Sequence, residues 1–163
     1  MTRIFTKEEN QDWSNKLPGK MCSACMALTS SGKVLMVKAG YKEHWTFPSG
    51  IVDPNESPKS AAMRETHEEV GLNVDEERCD LLTVIYAAAI NGDRDRFNFA
   101  FICNEFDEKA ELTVPNEEIE KAEWVSFDEV AEKSGNRESY VNIQKLLLNP
   151  SVPRPYIEAT PAS

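Results

Sequence analysis

Glu65, Glu68 and Glu69 stand at i, i+3 and i+4, the spacing that puts side chains on one face of a helix. Carboxylates on a rigid helix suit hard divalent cations, which take oxygen ligands. Glu65 and Glu69 are like charges at i, i+4, which costs about 0.2–0.5 kcal/mol in a plain helix. A cation between them reverses the sign of that interaction. The plain alternative is a solvated acidic face, which is what most glutamate-rich helix faces are. The preceding loop weighs against it. Trp45-Thr46-Phe47-Pro48-Ser49-Gly50 brings an aromatic strand into a tight turn, and Glu56 follows just before the helix. Backbone carbonyls facing the acids there would complete a metal cage. Arg64, four residues before Glu68, is spaced to pair with it.

The helix that must carry these acids has start and stop chemistry of its own. Ser57 can cap the first turn, and Pro58 suits the first helical position because its missing N–H would be unpaired there. Ala61, Ala62, Met63, Arg64 and Glu65 are good helix formers, and Gly71 can take the left-handed conformation that ends a helix. Ahead of it, Met21–Thr29 and Lys33–Lys38 flank Ser30-Ser31-Gly32 and read as a β-hairpin. Behind it, Leu81–Ile90 and Arg96–Cys103 read as strands joined by a turn at Asn91-Gly92-Asp93, with Phe97, Phe99 and Phe101 on one face. Glu123–Val125 reads as a short strand. Ser126 should then cap a helix over 127–133, with Glu129 completing a capping box and Gly135 ending it. Arg137–Leu148 is a last helix, with Tyr140, Ile143 and Leu147 at helical spacing. Strands mixed with helices favour an α/β or α+β sandwich. Residues 1–20 form a polar lead-in in which Trp13 can dock onto the domain, residues 21–149 form the domain, and residues 150–163 form an extended Pro-rich tail.

The chain has 163 residues, enough for one domain with a real core. A net charge of −10 repels polyphosphate backbones and argues against a nucleic-acid polymer as partner. A small phosphate ligand is still admitted, because a divalent cation bridges acid to phosphate. No apolar run is long enough for a membrane span, and the first residues lack the apolar stretch of a secretory signal, so no membrane partner and a cytoplasmic location are expected. Four cysteines are too few for a disulfide scaffold in a domain of this size. Cys22 and Cys25 form a lone CxxC in a strand, where i and i+3 point to opposite faces, so a structural role is expected rather than zinc or redox chemistry. No Ser-His-Asp or Cys-His arrangement is suggested; His44 and His67 read as surface residues.

The stretch from Gly50 to Leu72, GIVDPNESPKSAAMRETHEEVGL, resembles the box of the Nudix hydrolase family. Gly50, Glu56, Arg64, Glu65, Glu68, Glu69, Gly71 and Leu72 fall on its fixed positions, and Thr66 stands where an aliphatic residue is usual. Thr is β-branched and can still face a core. The likeness extends from about Met21 to Lys133. Thr46-Phe47-Pro48-Ser49-Gly50 looks like the strand and Pro-Gly-Gly turn ahead of the box, with Ser49 in place of the first Gly. Asn116-Glu117-Glu118, Trp124-Val125 and Asp128-Glu129 resemble the family's C-terminal pattern.

What the resemblance implies is an α/β/α sandwich around a mixed sheet and a hydrolase that uses Mg2+ or Mn2+. Water would attack phosphorus within the diphosphate linkage of a small nucleoside diphosphate derivative. Glu65, Glu68 and Glu69 would hold metal, with the Ser49 carbonyl and a fourth acid, Glu118. Glu65 or a loop acid would take the proton of water. Arg64 would orient a box carboxylate, and Glu56 would support the loop or an outer metal shell. Trp45 and Phe47 are either core residues or surfaces on which a base stacks. Tyr86, Arg94 and Arg96 surround a hairpin that can border the substrate cleft, with the two arginines as phosphate contacts or as ordinary solvated residues. A non-catalytic Nudix-fold binding or regulatory module is the alternative; its usual mark is loss of box acids, and all stand here. The leaving group is left open. The zone Val84–Ala89 lacks the Pro that often marks ADP-ribose hydrolases, Tyr86 is slightly early for dinucleoside polyphosphate hydrolases, and the coenzyme A-specific extension is not evident. Nucleoside triphosphates and nucleotide sugars stay open, as does a homodimer.

Overall fold

The computed structural model describes residues 6–9, 12, 19–88, 95–114, 118–151 and 156–159. The strands are β1 (Met21–Ser30), β2 (Lys33–Ala39), β3 (Ser49–Ile51), β4 (Cys79–Ala87), β5 (Arg96–Cys103), β6 (Ile119–Ser126) and β7 (Tyr156–Ala159). The helices are α1 (Pro58–Val70), α2 (Val130–Lys133) and α3 (Glu138–Leu148). Six strands lie in the order β6-β2-β1-β5-β4-β7, and β3 pairs with β1. β1 and β5 are parallel, as are β4 and β7, and the other pairs are antiparallel. The sheet is therefore mixed, as expected.

Alternation along the strands sends side chains to two separate cores. On one face Ala24, Met26, Leu28, Leu35, Val37 and Phe101 pack with Ala61, Ala62 and Val70 of α1. On the other, Cys25, Ala27, Val34, Met36 and Ala100 pack with Tyr140, Ile143, Leu146 and Leu147 of α3. Helix, sheet and helix make the α/β/α sandwich. Each large side chain fully buried in these layers contributes about 1.5–3 kcal/mol.

The helix signals of the box are realised. Ser57 Oγ accepts from the Ser60 N–H at 3.0 Å. Gly71 ends α1 at φ +73°, and a side chain there would also collide with Thr113 Oγ1, 1.8 Å from the position of a Cβ. Thr66 is fully buried and returns its hydroxyl to the Ala62 carbonyl at 2.7 Å, so it serves as the core residue that the position requires.

Three expectations change. Ser126 makes no capping hydrogen bond, because it is still the last residue of β6, paired with Lys33; a 3-10 turn over Phe127–Glu129 intervenes before α2. The short strand expected over Glu123–Val125 is the C-terminal part of an eight-residue one, lengthened by its pairing with β2. In the Pro-rich tail, Tyr156–Ala159 joins the sheet beside β4, and Ile157 is buried. Trp13, the Asn91-Gly92-Asp93 turn, Arg94 and Glu117 lie outside the described residues. No helix among the described residues is long and apolar enough to cross a membrane.

Candidate active site

The acids of α1 meet the turn Ser49-Gly50. The Ser49 N–H donates to Glu69 Oε2 at 3.2 Å. Glu65 lies against Gly50 so closely that a Cβ on Gly50 would sit 2.0 Å from Glu65 Oε1. Glycine is therefore required there by close approach. Val52 N donates to the Cys22 carbonyl, and Ser49 pairs with Cys25, so β1 fixes the turn from behind.

Arg64 joins loop to helix. Its Nε and Nη2 bind the two oxygens of Glu56 at 2.9 and 3.0 Å, and Nη2 also reaches the Ile51 carbonyl at 3.2 Å. Its Nη1 binds Glu65 Oε1 at 2.7 Å and Glu68 Oε2 at 3.1 Å. Bidentate pairing fixes direction as well as charge. The side-chain hydrogen bonds from Arg64, with the Asp53 N–H, hold the Glu56 carboxyl below its usual range. Glu56 thus supports the loop. Arg64 orients Glu65 and also takes the expected partner Glu68.

Glu69 is the electrostatic oddity. Burial pushes its pKa up to about 8; the Ser49 N–H opposes this, the charges of Glu65 and Glu118 add to it, and Lys42 opposes it weakly. Among the described residues, no group of three His, Cys, Asp or Glu is already arranged to hold a cation. The donor set nevertheless fits one in kind. A buried carboxylate crowded by two other acids gains from a cation beside it, and all the donors are hard oxygens. Glu118 is exposed on the β6 side, its carbonyl accepting from Gly40 N at 2.9 Å, and its charge is felt at Glu69.

The aromatic candidates belong elsewhere. Phe47 is fully buried and Trp45 is 9% exposed, so neither offers a face to a base. Phe47 packs on Tyr140 at 5.1 Å, and its N–H donates to the Tyr140 hydroxyl at 3.0 Å. Trp45 has Lys133 Nζ over its ring at 4.7 Å. Both are core residues that hold the loop. Tyr86 packs against Phe97, ring centroids 5.4 Å apart and tilted, while Arg96 pairs with Ala87 one position along, so Tyr86 and Arg96 face opposite sides of the sheet. Cys22 is half-buried, Cys25 is buried, and no disulfide joins them. Sequence reasoning missed Lys42, whose charge acts on Glu69, and Tyr140 as the loop's anchor. Nothing local signals the second, since Phe47 and Tyr140 are 93 residues apart.

Comparison with known proteins agrees with this geometry. A family model of the NUDIX domain matches residues 20–146. The chain belongs to the NUDIX family. A relative from Mycobacterium tuberculosis, named as a putative 8-oxo-dGTP diphosphatase 3, is 33% identical over 89 residues, which cover 54% of this chain and 40% of that protein. An RNA pyrophosphohydrolase of Pseudomonas putida is 41% identical over 46 residues, 28% of this chain and 29% of that one. The NUDIX chain thus matches well under half the length of these relatives. The NUDIX domain of Shewanella oneidensis NrtR, solved with ADP ribose, aligns at TM-score 0.70 and 11% identity over 91% of this chain and all of that one. At that identity the likeness shows the NUDIX fold alone.

Proposed function

We propose that this chain hydrolyses the diphosphate linkage of a nucleoside diphosphate derivative, with Mg2+ or Mn2+, by attack of water on phosphorus. One observation carries the reading: Glu65 and Glu69 are held together at the Ser49-Gly50 turn, with Gly50 stripped of a side chain to admit Glu65. Both relatives above are named for cleaving phosphoric anhydrides, which supports the same reaction class.

Glu65, Glu68, Glu69, the Ser49 carbonyl and Glu118 would hold the cation. When bound, it supplies charge neutralisation at the phosphates and an acidified water. The chain's own residues do the rest. Glu69 is fixed by the Ser49 N–H. Arg64 is a positioning residue that orients Glu65 while Glu56 holds Arg64 in turn. Glu65 or a loop acid accepts the proton of the attacking water. No protein nucleophile is needed, and the buried Cys25 thiol, pushed up to about 12 by burial, is a poor one.

A panel of nucleoside triphosphates, dinucleoside polyphosphates and nucleotide sugars, turned over in oxygen-18 water, tests the reading. The label should enter a phosphate product, only with the divalent cation present. Label on a sugar carbon, or a trapped covalent enzyme intermediate, contradicts it.

A further inference from the structure

The turn that leaves β2 stands beside the acids. The Gly40 N–H donates to the Glu118 carbonyl at 2.9 Å, and the Lys42 N–H returns to the Ala39 carbonyl at 3.1 Å, which closes the turn over residues 39–42. The base of the loop is braced twice. Val37 and Thr46 exchange backbone hydrogen bonds at 2.8 and 2.9 Å, and the Trp45 N–H donates to the Lys133 carbonyl at 2.9 Å. Three residues beyond Thr46, the Ser49 N–H holds Glu69. The loop is thus tied at both ends to the acidic site, and the charges of Lys42 and Glu118 both act on Glu69.

The cations around this loop are not equivalent. Lys38 pairs with Glu120 at 3.3 Å, and Lys133 pairs with Glu123 at 3.2 Å. Arg137 directs Nε to the Ser134 carbonyl at 3.0 Å and Nη2 to the Trp45 carbonyl at 3.4 Å, with its guanidinium 4.6 Å over the Tyr140 ring. Burial, with the charges of Arg137 and Lys42, pushes the His44 imidazole below its ordinary value, so it is neutral at pH 7. Lys42 differs from all of these. Among the described residues its ammonium meets no carboxylate, and it lies 5.3 Å over the ring of Tyr41, a residue 71% exposed. The ammonium therefore stands at the surface. A lysine whose charge reaches a crowded acidic site, yet pairs with none of its carboxylates, keeps three donors for an anion that arrives from solvent.

We propose that Lys42 binds the substrate, its Nζ donating to a non-bridging phosphate oxygen of the diphosphate derivative held at the acids. An ammonium–phosphate contact is a charge-assisted hydrogen bond, stronger than a neutral one. The need for it is electrostatic. The chain carries a net charge of −10, and the acids of α1 repel a polyanion wherever a divalent cation does not screen them. Lys42 offsets that repulsion on the side of the β2 turn. Tyr41 acts as a positioning residue, its ring face keeping the ammonium on the rim. The inference rests on the hydrolase reading for its substrate class, but its test does not need turnover.

The test is equilibrium binding of adenosine 5′-(α,β-methylene)diphosphate, whose bridging carbon resists hydrolysis, to the full chain by calorimetry in saturating Mg2+. Lys42→Gln should bind it at least tenfold more weakly than wild type, and Lys42→Arg within threefold. Mn2+ alone, followed by electron paramagnetic resonance, should bind wild type and Lys42→Gln within twofold of each other, because Lys42 touches phosphate and not the cation. The melting temperature should not fall, since the Lys42 side chain makes no hydrogen bond within the described residues. Equal binding of the analogue by wild type and Lys42→Gln overturns the proposal. So does a Lys42→Arg variant as weak as Lys42→Gln, which would show that charge is not what is needed. A Lys42→Gln variant that loses Mn2+ as steeply as the analogue overturns it too, since Lys42 would then act through the acids. Analogue binding that depends on Lys42, with no hydrolysis of any substrate, overturns the hydrolase reading alone; hydrolysis by attack of water, with Lys42→Gln binding as wild type does, overturns this inference alone.

Discussion

Gly50→Ala separates the positioning of Glu65 from the stability of the fold. An alanine Cβ would stand 2.0 Å from Glu65 Oε1 and 2.2 Å from Cδ, where real contacts do not fall below 3.0 Å. Glu65 must therefore retreat by about 1 Å, and a misplacement of that size at a reacting group costs about 100-fold in rate. That is about 2.7 kcal/mol of barrier. The stability cost is smaller. What must yield is the end of a flexible side chain, and an off-rotamer glutamate costs about 0.5–1.5 kcal/mol. Initial rates at saturating Mg2+, set beside urea denaturation, should show the rate falling much further than stability. A double-mutant cycle sharpens the test. Once Glu65→Ala has removed the obstructing carboxylate, adding Gly50→Ala should cost almost nothing further in rate. Turnover of Gly50→Ala within threefold of wild type refutes the reasoning, since Glu65 would then not be needed where the structure holds it.

Glu69→Gln should keep the fold, glutamine being a comparable helix former, and lower turnover by orders of magnitude; an unchanged rate removes Glu69 from the ligand set. Arg64→Lys should destabilise by about 2 kcal/mol in urea denaturation, because lysine cannot reproduce the bidentate pair with Glu56. The Glu56 carboxyl is held below its usual range in the folded chain. Its contribution to stability is therefore complete at neutral pH and drains away as pH falls through the carboxylate range. Glu56→Gln should accordingly flatten the acid limb of a stability–pH curve, and a limb of unchanged slope counts against the pair. Replacing both Cys22 and Cys25 with Ser should leave activity within a few-fold, and metal analysis of the wild-type chain should find no stoichiometric zinc.

Half of the candidate site was legible because it is local. Arg64 reaches Glu68 over one helical turn, and Ser57, Pro58 and Gly71 bound the helix that presents the acids. The α/β/α layering followed from the same patterns together with the family resemblance. Misreadings came where a long-range partner overrode a local cue. Ser126 has cap chemistry, yet β2 claims it as a strand residue. Trp45 and Phe47 are aromatics beside a cleft, yet Lys133 and Tyr140 enclose them. The tail has the composition of a linker, yet four of its residues complete the sheet.

The other half of the site depends on sheet register, which no local window reports. Asn98 in isolation is a polar residue in an alternating strand, and its natural reading is solvent. Only the pairing of β5 with β1 and β4 places it between Ser23 and Ile85, on the side that α3 covers further along. Gly50 poses the same problem in reverse. It looks like a turn glycine chosen for backbone freedom, but its φ is not positive, and what it provides is room for Glu65. A single change of register would move Asn98 to the face of α1. The two halves are joined through Ser49, which pairs with Cys25 in the sheet and donates its N–H to Glu69 on the helix. The position of the acids against the sheet is thus set by a three-residue strand, and substitutions that weaken β3 should lower turnover through misplaced acids.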